Sequence, residues 1–382
     1  MEQITHLFDG FPLVSKKDWL AKIEQDLKGK PLADLQWKLG QLTLDPFAHP
    51  DDLEDLPQPL PGSGNDWEIG EDIEAHDILH ANRQALYALE NGVQALRFLL
   101  DENLGDHRMD SLLESIDLSV VSLHFFEKNK NANPIHLLHH FYHTAKAEGK
   151  DTSRLAGSVN WAHRESVVLP DALELLEFAS EKLPAFKVLT VSAGDSFENG
   201  IVRELAALVR KGEEWIAVLS RKGFSPAVVN GFLQFSIPVG TNYFVEIAKP
   251  RALKLLWANA LKAWEVENAA MPPIEAHIAL SEETEGTYNS LIQATTQAMS
   301  AVLGGVSRLT VSNGQASNLQ PPTSSLSTRI VRNVQHILKM ESHFGRVADP
   351  VAGSYFLENL TEKLAGAAWK EFQTLQDGGY RF

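Results

Sequence analysis

Phe186-Lys-Val-Leu-Thr-Val-Ser192 is a short apolar run, and a longer stretch with helical spacing, residues 199–220, follows it. The next apolar run, Phe232-Leu-Gln-Phe-Ser-Ile237, is followed by a second helical stretch at residues 242–264. Apolar strands that alternate with helices are typical of a parallel sheet, because parallel strands need a crossover connection. This part of the chain therefore predicts an α/β fold.

The same unit continues in both directions along the chain. Strands are predicted at 95–100, 118–125, 155–161, 186–192, 232–237, 274–280, 307–312 and 346–348. Helices are predicted at 73–91, 134–147, 170–183, 199–220, 242–264, 284–303, 327–340 and 356–375. About eight such units favour a (β/α)8 TIM barrel over an open sheet, with ligand sites at the carboxyl ends of the strands.

The N-terminal residues differ from this repeat. Ser15 can cap a helix with an apolar stripe, and a strand is predicted around Trp37. Residues 45–64 are rich in proline and acidic residues, which is typical of an extended linker. These elements cannot bury their apolar faces alone, so the arm is expected to lie on the barrel or on another chain. We predict two parts: an arm with its linker at 1–66, and a barrel domain at 67–382.

The composition narrows the functions that this chain can have. Its 382 residues include 34 Lys+Arg against 50 Asp+Glu, a net charge of -16 that argues against nucleic acid as a partner. The chain has no cysteine, which excludes disulfides, thiolate metal sites and a cysteine nucleophile. No apolar run predicts a membrane span, and the N-terminus lacks the pattern of a secretory signal. We therefore expect a cytoplasmic globular protein with no membrane partner.

Four longer motifs resemble the methylmalonyl-CoA mutase family. They are Arg329-Ile-Val-Arg-Asn-Val-Gln-His-Ile-Leu, Asp349-Pro-Val-Ala-Gly-Ser-Tyr-Phe-Leu-Glu-Asn-Leu-Thr, Thr241-Asn-Tyr-Phe-Val-Glu-Ile-Ala-Lys-Pro-Arg and Phe11-Pro-Leu-Val. The resemblance extends over nearly the whole chain. It implies a TIM barrel that holds an acyl-CoA along its axis, and an adenosylcobalamin-dependent interconversion of methylmalonyl-CoA and succinyl-CoA.

The resemblance also indicates where the cofactor is bound. In the family, a flavodoxin-like domain after the barrel carries Asp-x-His-x-x-Gly, whose histidine ligates cobalt. This sequence ends at Phe382 and contains no such motif, so the C-terminal cobalamin-binding domain is expected to be absent. We expect no cofactor bound by this chain alone, and adenosylcobalamin bound through a large subunit.

Several family site positions are changed in this sequence. The family's Arg-Gln-Tyr-Ala-Gly segment matches the stretch that contains Ile69, which lacks both the arginine and the tyrosine. An active-site histidine matches Asp195, and a CoA-binding arginine matches Phe232. The loop after the third strand is shortened, and its Arg164 is a poor match to a cobalamin-contacting arginine. The resemblance therefore implies a degenerate site.

The sixth strand shows the same change. The family's Arg-Thr-His-Ser-Gln becomes Glu275-Ala-His277-Ile-Ala279, so an arginine is replaced by a glutamate and a glutamine by an alanine. A glutamate at that position repels the polyanionic CoA. Glu198 and His277 are the two matches that remain, as remnant ligand contacts, although Asp195 with Glu198 could also form an acid–base pair. No catalytic residue and no metal site are expected.

This pattern resembles the family's small subunit, which lacks a working site and supports a homologous catalytic chain in a heterodimer. The arm would embrace the large subunit, and the isolated chain could form a homodimer. The bulk of Phe232 and Phe235 is predicted to fill the barrel where acyl-CoA would pass. Two alternatives remain: an active acyl-CoA mutase with a divergent substrate, and a regulatory module that binds a CoA ester.

A group of histidines on one predicted helix needs a separate interpretation. His136, His139, His140 and His143 share one helix face, and pairs four residues apart can bind zinc or nickel. The apolar residues between them form a stripe that faces the core. A solvated or interface face is therefore favoured over a metal site.

Overall fold

The barrel sheet organises the molecule. The computed structural model describes residues 14–40, 42–53, 64–101, 104–128, 133–161, 169–192, 200–280, 287–312 and 325–376. Its barrel strands are β3 (Glu68–Glu74), β4 (Ala95–Leu100), β5 (Ser122–Glu127), β6 (Gly157–Asn160), β7 (Phe186–Lys187), β8 (Leu189–Ser192), β9 (Leu233–Pro238), β10 (Ile274–Ala279) and β11 (Arg308–Ser312). These strands pair in parallel in the order β7-β6-β5-β4-β3-β11-β10-β9-β8.

The sheet closes at the interrupted strand formed by β7 and β8. Val188 alone separates them; β7 pairs with β6, and β8 pairs with β9. The Val188 amide donates to the Phe232 carbonyl at 3.1 Å, and the Val188 carbonyl accepts the indole N–H of Trp161 at 2.8 Å. With β7 and β8 taken as one strand, the sheet has the eight positions of a TIM barrel, which confirms the predicted fold class.

Helices surround this sheet, and successive strands are joined through them. They are α2 (Ile78–Glu90), α3 (Asp106–Leu113), α4 (Pro134–Ala147), α5 (Leu169–Lys182), α6 (Ile201–Ser220), α7 (Pro226–Phe232), α8 (Tyr243–Ala263), α9 (Thr287–Leu303), α10 (Ser325–His336) and α11 (Tyr355–Gln376). Capping side chains fix several starts: Asp77 accepts from the His80 amide before α2, and Asn133 precedes Pro134 in α4. The last helix, α11, packs against α6 and α8.

The apolar core lies between the sheet and these helices. Phe125 on β5 has its ring centroid 6.0 Å from that of Phe98 and 5.5 Å from that of Phe141 on α4. On the opposite side of the barrel, Phe235 on β9 has its ring 5.0 Å from that of Trp257 on α8. All of these side chains are buried. The outward residues of the strands therefore bury the apolar surface that the helices supply.

The first barrel strand is not the one that the sequence predicted. Residues 68–74 form β3, whereas the predicted helix was expected to begin at Ile73 and actually begins at Ile78. The strand predicted at 346–348 is wrong too, because Phe344–Arg346 is a 3-10 turn. Strand β3 contains four acidic residues, and strands are normally poor in carboxylates. A hydrophobicity pattern therefore does not identify residues 68–74 as a strand. Each of these acids has a partner in the fold: Ser122, Arg332, Arg97 and Lys128.

The described part of the arm lies partly on the barrel's last helix. Helix α1 (Lys16–Asp26) is capped by Ser15, as predicted, and β1 (Trp37–Leu39) pairs antiparallel with β2 (Leu42–Leu44). The segment from β2 to residue 52 contacts α11. Residues 54–63 of the predicted linker lie outside the described residues. The division into an arm and a barrel domain stays a prediction.

None of the described helices is long and apolar enough to cross a membrane.

Candidate functional site in the barrel interior

The barrel interior is lined by polar and charged side chains. Residues alternate along each strand, so those that contact a strand on the far side of the barrel face its interior. Arg308 on β11 reaches His124 on β5, and Arg97 on β4 reaches His277 on β10, each across two intervening strands. The interior set is Glu68, Asp72, Arg97, Ser122, His124, Ser158, Thr190, Gln234, Glu275, His277 and Arg308.

Arg308 is the centre of the deeper part of this network. Its Nη2 donates to Oε2 of Glu275, and its Nη1 lies 2.7 Å from Nε2 of His124. His124 in turn contacts the Ser158 hydroxyl at 2.8 Å through Nδ1. The Arg308 side chain is 4% exposed and that of Glu275 is 3% exposed. This ion pair is therefore almost completely removed from water; charge-assisted hydrogen bonds pair the two terminal nitrogens of Arg308, while its buried Nε has no hydrogen-bond partner among the described residues.

Arg97 is the centre of the second part, which lies nearer the carboxyl ends of the strands. Its Nε and Nη2 donate to the two carboxylate oxygens of Asp72 at 2.6 and 2.7 Å. Its Nη1 lies 3.1 Å from Nε2 of His277, which is also 2.9 Å from Oε1 of Glu275. The Arg97 guanidinium lies over the ring of Phe126, 5.4 Å from its centroid. His277 thus connects the two parts of the network.

The surroundings fix the charge states of the two histidines. Burial, reinforced by Arg97, lowers the pKa of His277 to about 3. Burial, reinforced by Arg308, holds the pKa of His124 well below its usual range. Both rings are therefore neutral near pH 7. A neutral imidazole has one N–H, so Nε2 of His277 either accepts from Arg97 or donates to Glu275, but does not do both.

The charged groups keep their charge despite burial. Burial raises the pKa of Asp72, but the Arg97 guanidinium outweighs it, and the net pKa is lowered. Burial lowers the pKa of Arg308 to about 10, which still leaves the guanidinium protonated at neutral pH. Two guanidinium groups, Arg97 and Arg308, thus face three carboxyl groups, those of Asp72, Glu275 and Glu68. The arginines are paired inside the protein.

The structure brings together only some of the predicted site positions. Glu275 and His277 both face the interior and contact each other. Ile69 alternates with the inward-facing Glu68 on β3, so it faces the outer core and is not an interior residue. Ala279 is an exposed residue at the end of β10. Asp195, Glu198 and Arg164 lie outside the described residues.

The predicted aromatic filling of the barrel is wrong. Phe235 faces outward against Trp257, and Phe232 is the last residue of α7, before β9 begins. The inward positions of β9 are instead Gln234 and Ser236, the first of which donates to the Thr190 hydroxyl at 2.8 Å. Bulk is present in the interior, but it comes mainly from charged and polar side chains, together with the Phe126 ring beside Arg97.

Sequence reasoning missed Asp72, Arg97, His124 and Arg308, which form most of the network. A signal for two of them was present: Arg97 and His124 each interrupt an otherwise apolar strand, in Leu96-Arg-Phe98 and Leu123-His-Phe125. A charged residue inside a buried strand needs a partner from a neighbouring strand. The identity of that partner depends on which strands meet across the barrel, which one sequence does not reveal.

Two groups of side chains contain atoms that are potential metal ligands. Glu74, His76 and Asp101 place donor atoms within 4.8 Å of one another, but all three are exposed. The Lys128 ammonium already lies 2.5 Å from Glu74 and 3.4 Å from Asp101, so it pairs with both carboxylates and offsets part of their negative charge. The helix with the four histidines supplies no three-donor group within the described residues, and His139 packs on Phe178 with ring centroids 4.1 Å apart.

Comparison with known proteins shows which sequences this chain is similar to. The sequence model of the methylmalonyl-CoA mutase family matches residues 105–381. A methylmalonyl-CoA mutase small subunit from Porphyromonas gingivalis is 32% identical over 98% of this chain and 64% of its own length. A methylmalonyl-CoA mutase from Cereibacter sphaeroides is 27% identical over 94% of this chain and 58% of its own length. The chain thus spans less than two thirds of the length of either relative.

One solved structure of another enzyme is similar to this chain in fold only. A dihydropteroate synthase from Yersinia pestis aligns with 80% of this chain and 99% of its own, at 10% sequence identity and a TM-score of 0.40. A similarity of this size says nothing about function.

Proposed function

The chain belongs to the methylmalonyl-CoA mutase family, and from that premise we propose that it is a small, non-catalytic subunit. Its partner would be a large subunit that binds adenosylcobalamin and interconverts methylmalonyl-CoA and succinyl-CoA. In this role the chain contributes to an isomerase complex in the cytoplasm and has no turnover of its own. The observation that carries the proposal is the ion network that occupies the barrel interior.

That network opposes catalysis in two ways. A barrel enzyme uses inward side chains to bind its substrate, and binding an anionic acyl-CoA requires cations that are free to meet it. Here Arg97 and Arg308 are already bonded to Asp72 and Glu275. An entering anion would have to displace a carboxylate that is held in place by the fold, and would also meet the charge of that carboxylate. The network therefore supports a structural role for this barrel.

The residues of this chain also give no support for a cobalt site of its own. The cofactor supplies radical chemistry when it is bound, and the protein supplies binding and exclusion of water. The sequence has no Asp-x-His-x-x-Gly motif, and the two interior histidines already contact Arg97, Arg308, Glu275 and Ser158. We therefore assign adenosylcobalamin to the large subunit, and the Asp195, Glu275 and Ala279 positions to a degenerate site. Ile69 faces the outer core and Phe232 ends α7, so neither belongs to that site.

The N-terminal arm supports the proposed partnership. Helix α1 carries an apolar stripe, Trp19, Leu20 and Ile23, yet none of its residues is fully buried. Trp19 contacts Phe47 and His49 from the following segment, with ring centroids 5.4 and 5.8 Å apart. An apolar stripe that the described residues cover only in part is suited to a contact with a second chain. In the isolated chain, the same surface could form a homodimer.

Co-expression with the large subunit of the same organism tests this proposal. We expect a 1:1 complex, full turnover of methylmalonyl-CoA by the complex with adenosylcobalamin, and none by this chain alone. A matched variant of this chain, Arg308→Met with Glu275→Leu, removes both charges of the interior pair and should leave turnover by the assembled complex within about twofold, because interior residues of this barrel take no part in chemistry. Turnover by the isolated chain, or a complex whose turnover is lost in the variant, would overturn the proposal.

A second candidate function is a module that binds a CoA ester without turning it over. It is favoured by one observation: His277 is 20% exposed and Arg97 is 14% exposed, more than the deeper Arg308. Saturable binding of an acyl-CoA to the isolated chain, without cobalamin, would support this function. Turnover of an acyl-CoA by the isolated chain with added adenosylcobalamin would instead support a third, an active mutase with a divergent substrate.

A further inference from the structure

Asp72 holds Arg97 in the way that a bound carboxylate would. Both of its oxygens accept from the guanidinium, at 2.6 and 2.7 Å, which is the two-pronged geometry by which arginine recognises carboxylates. Arg97 is fixed on its other sides by the Phe126 ring and by His277. We propose that Arg97 and His277 form a binding subsite for a small carboxylate, and that Asp72 keeps this subsite closed by occupying it from within the chain.

This subsite is the more accessible part of the network. Asp72 and Arg97 are direct partners across β3 and β4, and both strands end within three residues of them, at Glu74 and Leu100. The two side chains are 11% and 14% exposed, whereas Glu275 and Arg308 are 3% and 4% exposed. A small anion can reach the first pair with less rearrangement than the second.

The Asp72 carboxylate binds Arg97 in preference to a free carboxylate, because Asp72 is covalently part of the chain. Asp72 competes at an effective concentration set by the fold, and no translational entropy is lost when it pairs with Arg97. A free carboxylate would form the same two hydrogen bonds but would lose translational entropy on binding. The inference rests on the proposed function, because it explains a non-catalytic barrel by one self-occupied subsite.

Removing the Asp72 carboxylate should therefore open the subsite. In Asp72→Ala, Arg97 loses its partner and a space of carboxylate size is left beside it. Above the Kd, sodium acetate should raise the melting temperature of this variant with the logarithm of its concentration, by about 2 °C at ten times its Kd, over sodium chloride at equal ionic strength. Acetamide, which has the same shape without the charge, should give no rise, and neither should acetate on the unaltered chain.

Two control variants separate the subsite from general effects. In Asp72→Ala with Arg97→Met, the guanidinium is gone and the acetate effect should disappear. Glu71→Ala opens a similar pair on the outer side of the same strand, Glu71–Arg332, in which Arg332 belongs to α10 and its side chain is only 3% exposed. That variant should lose stability without recovering it in acetate.

Each outcome decides between the two proposals. If the melting temperature of Asp72→Ala responds equally to acetate, acetamide and chloride, the proposed carboxylate subsite is wrong, while the proposed non-catalytic role of the chain is unaffected. If the unaltered chain itself binds an acyl-CoA saturably, the proposed function fails and Asp72 does not close the barrel. Where Asp72→Ala does not fold without an added anion, its yield of folded protein should recover with acetate and not with acetamide; equal recovery with both overturns the subsite.

Discussion

Two neighbouring carboxylates on β3 lie in opposite surroundings. Glu71 faces the helices, and both of its carboxylate oxygens accept hydrogen bonds from Arg332, at 2.7 and 2.8 Å. Asp72 faces the interior, and both of its oxygens accept from Arg97 in the same way. Around Glu71 the layer is apolar, and the Tyr87 ring lies 5.3 Å from the Arg332 guanidinium. Around Asp72 the neighbours are further charges and polar groups. One strand therefore separates an apolar layer from a charged interior.

The difference shows what each layer does. The outer layer gains most of its stability from apolar burial, and the Glu71–Arg332 ion pair is a local exception within it. The interior depends on mutual pairing, so the removal of one group leaves another charge buried and unpaired. The outer layer specifies the barrel, and the paired interior charges are the basis of our proposal that the barrel is closed to an anionic ligand.

The largest expected effect comes from the centre of the interior. Arg308→Met leaves Glu275 buried without its partner and should lower the free energy of unfolding by about 3–5 kcal/mol. Chemical denaturation of the isolated chain measures this. Arg308→Met combined with Glu275→Leu removes both charges and should be more stable than the single variant; a double variant that loses as much as the sum of two single ones contradicts the pairing.

An outer-layer substitution should cost less and should not be rescued in this way. Phe235→Leu removes ring contacts with Trp257 on α8, at a cost of about 2 kcal/mol. Denaturation should give the same cost at pH 5.5 and pH 7.5, because the ring contact that is lost is with Trp257, which does not titrate. A cost that changes with pH would mean that the two layers are coupled.

The interior should make stability depend on pH. The pKa of His277 is about 3 in the folded chain and about 6.5 when unfolded, so the unfolded chain binds more protons between these values. Stability should fall as pH drops below 6.5, by about 1.5 kcal/mol from this group between pH 6.5 and 5. His277→Gln should flatten that part of the profile. An unchanged slope in the variant would contradict the buried neutral histidine.

The smallest effect lies outside both layers. Ser15→Ala removes the side chain that accepts from the Asp18 amide at the start of α1, which should cost that helix about 1 kcal/mol. Hydrogen exchange of the α1 amides should speed up about fivefold, while exchange in the barrel strands stays the same. Faster exchange in the strands would show that the arm and the barrel unfold together.

Much of the fold could be predicted because the outer layer follows a simple pattern. The apolar strands near Phe98, Phe125 and Phe235 each stand between two helices, and the predicted and observed strands agree there within a few residues. The strand β3 could not be recognised, because its carboxylates are compensated by arginines far away in sequence, such as Arg332. Hydrophobicity does not report on such pairing.

The candidate site could be predicted less well. The sequence motifs indicated Glu275 and His277, and both do face the interior. From the sequence, however, Glu275 was expected to act as an unpaired charge that repels a ligand. Its actual partner is Arg308, and an ion pair has a different consequence from a lone charge. The pairing depends on which side chains meet across a closed barrel, and that geometry is a property of the tertiary structure.

The central claim is that this barrel interior is filled by its own charges and does not take up an anionic ligand. Isothermal titration of methylmalonyl-CoA into the isolated, unaltered chain tests it most directly. The account predicts no saturable heat beyond dilution up to millimolar ligand. A saturable 1:1 binding curve would show that the ion network opens for an acyl-CoA, and would contradict the claim.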